Sequence, residues 1–113
     1  MNGIHWKILT VDQSSPILID RTGNVTLACT DPVTKRVFLS NTIPKELYLK
    51  VLLHELGHCA MVSYNLIDDI HRMVKPRYWI EAEEFICNFI ADYGLKIFTT
   101  AENVVKVDVV GLV

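Results

Sequence analysis

The period of hydrophobic and polar positions changes once along this chain, and the change divides it in two. Residues 4 to 11 alternate weakly, with Ile4, Trp6 and Ile8 on one side, and predict a strand. A short apolar run at 16–19 ends in Asp20-Arg21-Thr22-Gly23-Asn24, a strong turn signal. Val25, Leu27 and Cys29 then alternate with Thr26, Ala28 and Thr30, the pattern of a half-buried strand. Asp31-Pro32 opens a second turn, and Arg36 to Ser40 supplies a further strand. The first 40 residues are therefore expected to form an antiparallel meander.

From residue 41 the period becomes helical. Asn41 and Thr42 are residues that cap helices, and Pro44 suits a first turn, where no N–H is needed. Leu47, Val51, His54 and His58 share one stripe, and the helix is expected to run to about Tyr64. Asn65 to Lys75 reads as a loop with a short helical piece. From about Tyr78 to Phe98 the chain is helical again and apolar nearly all round (Phe85, Ile86, Phe89, Ile90, Leu95), which predicts a buried helix. From Val104 onward, Val105, Val107 and Val109 alternate with Lys106 and Asp108, which predicts a last strand. The expected fold class is α+β in a single domain spanning residues 1–113.

Composition adds bounds. Half of the residues are apolar, enough for a real core, and the net charge of −2 is spread without a basic stripe or an acidic tail. No nucleic-acid partner is expected. The start of the chain lacks a signal-peptide pattern, no window is long and apolar enough to span a bilayer, and the three cysteines are odd in number. Cys29, Cys59 and Cys87 are therefore expected to be reduced thiols in a soluble, cytoplasmic protein.

The chemistry sits in His54-Glu55-Leu56-Gly57-His58. Residues i and i+4 of a helix stand one turn apart on one face, so the imidazoles of His54 and His58 can grip one ion. Glu55 lies about 100° around the helix from His54, where a carboxylate can reach a water on the metal without being a ligand. Two neutral nitrogen ligands with a general base beside the water are what a zinc hydrolase needs. Tetrahedral zinc also wants a third protein ligand. The position of the metzincins' third histidine is Tyr64, which excludes that class. His71, Asp68 and Asp69 lie in the loop with nothing in their spacing to fix them. On the second helix, Glu84 forms a stripe with Asn88 and Ala91, placing a small polar group beside the ligands and room for the facing helix. Glu81, on the same side, is the reserve. His71, Tyr64, Tyr78 and Tyr93 are candidates to stabilise an oxyanion, His71 and Tyr78 foremost. Cys59 and Cys87 are expected to pack in the core, and His5 to be exposed.

Helix-borne His-Glu-x-x-His with a glutamate on a following helix resembles the gluzincin arrangement. The finer pattern resembles the ImmA/IrrE-type metallopeptidases of bacteria and their mobile elements, which pair H-E-[IL]-G-H with E-x-x-A-N-x-F-A. Glu84-Phe85-Ile86-Cys87-Asn88-Phe89-Ile90-Ala91 matches the second block, with Cys87 and Ile90 in place of the usual alanine and phenylalanine. The Leu-Leu-x-Pro that commonly follows is replaced by Gly94-Leu95. The resemblance covers residues 36–95 and implies a minimal zincin-like domain that holds Zn²⁺ through His54, His58 and Glu84. It also implies cleavage of an intracellular protein, such as a repressor, and a short member of phage or mobile-element origin. The rival expectation is a metal-stabilised protein that binds a partner and cuts nothing.

Overall fold

Three short strands and three helices carry the chain, in a computed structural model that describes the backbone of residues 1–111 and the side chains of residues 1–106. The strands are β1 (Lys7–Val11), β2 (Ala28–Asp31) and β3 (Arg36–Ser40). The helices are α1 (Lys45–Ser63), α2 (Ile67–Met73) and α3 (Trp79–Gly111). Single 3₁₀ turns at Pro16–Leu18 and Pro76–Tyr78 each start on a proline whose fixed φ favours them. The fold class is α+β, as expected, but the sheet is mixed.

The strand order is β1-β3-β2, with β3 parallel to β1 and antiparallel to β2. The expected meander is thus corrected: β3 returns between the two earlier strands. The cause is visible in its side chains. Val37, Phe38 and Leu39 form an unbroken apolar run rather than an alternation, and all three are buried, as a strand covered on both faces requires. β1 is an exposed edge in which Ile8 and Leu9 both meet solvent. One face of the sheet packs on α1 through Val37, Leu39 and Cys59, joined by Ala28 and Leu56. The 3₁₀ turn at Pro16–Leu18 lies against β2 and β3 and buries Leu18 completely.

Three further expectations are corrected. Neither Asn41 nor Thr42 caps α1, since Pro44 stands at the cap position. Asn41 instead accepts the Gln13 backbone N–H at 3.2 Å, and Thr42 bonds Ser40. The tail from Val104 is the end of α3 and not a strand; its last two residues, Leu112 and Val113, lie outside the described residues. No glycine or proline interrupts the helix after Gly94 before Gly111, and valine costs a helix only a few tenths of a kcal/mol. Finally, α3 is not a buried helix: Phe85 is 72% exposed and Phe98 61%. Among the described residues no helix is long and apolar enough to cross a membrane.

Candidate metal centre

α1 and α3 run side by side, joined at one end by Lys50 and Asp92 at 2.7 Å and farther along by the His54, His58 and Glu84 cluster. Gly57 lets the helices come this near. A Cβ there would stand 3.2 Å from the Cys87 Sγ, 3.4 Å from its Cα and 3.5 Å from its Cβ. Gly57 and Cys87 are both buried, Cys87 completely. In the sequence Gly57 is only one position of the motif; the contact explains why a small residue stands between the histidines and the neighbouring helix.

The close approach carries Glu84 to both histidines. Its Oε2 is 3.1 Å from His54 Nε2 and its Oε1 3.0 Å from His58 Nε2, while the two Nε2 atoms are 3.3 Å apart. One donor atom from each of the three residues lies within 4.8 Å of the others, and each residue is partly exposed. The set suits a tetrahedral ion: bonds of about 2.0–2.2 Å place neighbouring ligand atoms roughly 3.3–3.5 Å apart. Without an ion the three side chains hold each other electrostatically. The hydrogen bonds of His54, then His58, keep the Glu84 carboxyl well below the usual carboxylate range. The Glu84 carboxylate in turn raises His54 above 6.5, against partial burial, and a side-chain hydrogen bond in which Asn88 accepts from the imidazole adds to it. Asn88 therefore sits beside a candidate ligand, where its spacing placed it.

Glu55 is separate from this set. It is only 6% exposed and faces the sheet, where the Thr30 hydroxyl of β2 donates to its Oε2. Thr30 also lies 3.4 Å from the Glu55 carbonyl oxygen. Nothing in the sequence picks out Thr30, because the pairing joins a strand and a helix far apart along the chain.

The other candidates are placed elsewhere. His71 stacks on Trp79, with ring centres 4.0 Å apart, and its Nε2 meets Glu83 at 2.9 Å. Tyr78 ends the 3₁₀ turn before α3, half exposed with the Arg77 guanidinium over its ring. Glu81 is exposed on the first turn of α3, and Tyr64 and Tyr93 are exposed. Asp68 and Asp69 lie in the first turn of α2, where their charge suits the helix dipole, and Asp69 pairs with Arg72. None of these joins the three-residue cluster. Cys59 and Cys87 are buried in the core, as expected, and burial pushes their thiols up to about 11 and about 12. His5 is exposed.

Comparison with known proteins brings no relative to this geometry: no family model, no curated protein and no solved structure matches the chain.

Proposed function

We propose that His54, His58 and Glu84 hold a divalent metal ion, zinc by preference, and that the chain is a metal-dependent peptidase with Glu55 as its general base. One observation carries the reading: a single carboxylate on α3 presents one oxygen to each of two histidines a turn apart on α1. Two imidazoles and a carboxylate leave a fourth position for water in a tetrahedral site, the composition of catalytic rather than structural zinc. When bound there, the ion would acidify a water and polarise a peptide carbonyl.

The chain's own groups do the rest. Glu55, next to His54 but outside the ligand set, takes the proton of the attacking water and returns it to the leaving amine. The Thr30 hydroxyl donates to Oε2, which leaves Oε1 for proton transfer. An extended substrate would add to a sheet edge. β3 is the central strand, so the sheet edge beside α1 is β2. The Ser40 N–H donates to Leu27 at 2.8 Å, so by antiparallel alternation Thr30 turns its own N–H and C=O to the open side. The free backbone group and the Glu55 contact thus belong to the same residue.

The rival reading, a metal-stabilised binding protein, needs a closed site. His71 is engaged by Glu83, and Cys87 is a buried thiol held up to about 12, so neither favours service as a fourth ligand. As substrate, the family resemblance points to an intracellular regulatory protein. Metal analysis of the purified chain and of His54→Ala and Glu84→Ala tests the site. One ion per chain, lost in both variants, is expected; retention by Glu84→Ala would move the third ligand to Glu81 or the α2 region. Glu55→Gln should keep the metal and abolish cleavage of unfolded casein, and cleavage at the parent's rate would refute the role of Glu55.

A further inference from the structure

α3 continues well past the body of the protein. The radius of gyration is 16.7 Å, against about 13 Å for a compact chain of this length, and the longest dimension is 57 Å. On the side of α3 away from α1, positions 85, 89, 93, 96, 100 and 104 fall on one stripe by helical spacing. They are Phe85, Phe89, Tyr93, Lys96, Thr100 and Val104, all exposed, the three aromatic rings by 72%, 48% and 52%. The stripe is about 29 Å long at 1.5 Å per residue.

We propose that this stripe is a self-association surface, which pairs antiparallel with the same stripe of a second copy of the chain. The order of side chains along it makes the stripe its own complement. A two-fold axis between Tyr93 and Lys96 sets Phe85 opposite Val104 and Phe89 opposite Thr100, so that each phenylalanine ring meets a small side chain. It also sets Lys96 of one copy opposite Tyr93 of the other. Within one chain Lys96 Nζ already sits 6.0 Å from that ring's centre, within reach of a cation–π contact. Parallel pairing would stack ring on ring and bring the two Lys96 ammonium groups together. Area favours the pairing too. Aromatic side chains bury about 150–250 Å² each, so covering the exposed parts of three rings removes roughly 300–400 Å² per copy. With Ile97 and Val104 the pair loses about 1,000–1,200 Å², the size of a weak, reversible interface. A membrane surface fits less well, since α3 from Asp92 to Lys106 balances two acids with two bases and lacks a cationic face.

Sedimentation velocity over the micromolar range should show a concentration-dependent dimer. Phe89→Glu should weaken it at least about tenfold, equivalent to ~1.4 kcal/mol, with the helical circular dichroism and metal content unchanged. If Phe89→Glu does not fold, Thr100→Glu, on the projecting part of α3, serves the same purpose. Register is read by mixing Phe85→Cys with Val104→Cys chains in a Cys29→Ser background and oxidising. The antiparallel pair gives the mixed 85–104 disulfide between copies. Predominant 85–85 and 104–104 disulfides would overturn the proposal, as would a monomer at every concentration. So would a monomer that partitions onto phosphatidylcholine–phosphatidylserine vesicles. The metal site is assayed separately, so failure here leaves the peptidase reading standing.

Discussion

Replacing Gly57 with alanine adds one methyl group at a point where α3 passes close to α1, and two opposing effects can be weighed. Alanine in a helix interior is favoured over glycine by roughly 0.5–1 kcal/mol. The new Cβ, however, would stand 3.2 Å from the Cys87 Sγ, inside ordinary contact, with a buried sulfur that has little room to withdraw. Overpacking of this kind costs about 1–3 kcal/mol, so Gly57→Ala should be neutral to about 2 kcal/mol destabilising. Cys87→Ala removes the sulfur and leaves contacts of 3.4 and 3.5 Å, which are ordinary. In that background Gly57→Ala should stabilise by its full propensity gain. The coupling between the two substitutions is then about 1–3 kcal/mol. Urea unfolding of the four metal-free proteins measures it, provided m stays constant across the set. Zinc affinity measured on the same four should fall only where α3 is displaced, in the single Gly57 variant. If Gly57→Ala stabilises equally in both backgrounds, so that the coupling stays below about 0.5 kcal/mol, helix approach does not depend on this contact.

Thr30→Val keeps the shape of the side chain but removes the donor to a buried carboxylate, which should cost about 1–3 kcal/mol by urea unfolding. Thr30→Ser should restore most of it, and a Val variant as stable as the parent would show that the hydrogen bond contributes nothing. The metal-free cluster should also be pH-sensitive in two directions. His54 is raised on folding, so its contribution is present below pH 6.5 and is lost as pH rises through its folded value. Glu84 is lowered, so its contribution is present above 4.5 and is lost as pH falls toward its folded value. Thermal unfolding at fixed ionic strength should place the cluster's greatest contribution between those limits, and Glu84→Gln should flatten the profile; an unchanged profile in that variant would refute the coupling.

The candidate site was largely legible along the chain because its parts are local. An i,i+4 histidine pair and a Glu84–Asn88 pair each lie on one helix, where spacing alone sets the geometry. The unbroken Val37-Phe38-Leu39 run suits a central strand, but strands joined by short turns predict a meander, and that expectation failed. What failed involved surroundings. Alternating valines near the end suit a strand only if a partner strand is there, and α3 simply continues. An all-round apolar helix reads as buried, but burial depends on neighbours, and the far part of α3 has none among the described residues.

By itself, then, the sequence determined which side chains could act on a metal and the α+β order of elements as far as α3, since helical and strand periods are local properties of the chain. Only the tertiary structure decided which groups meet. It brought Glu84 across to both histidines, because Gly57 lets two helices come close, and it set Thr30 against Glu55 through packing of β2 on α1. It also left the Phe85 to Val104 face open. Those outcomes depend on contacts between residues distant in sequence, which no period along the chain encodes.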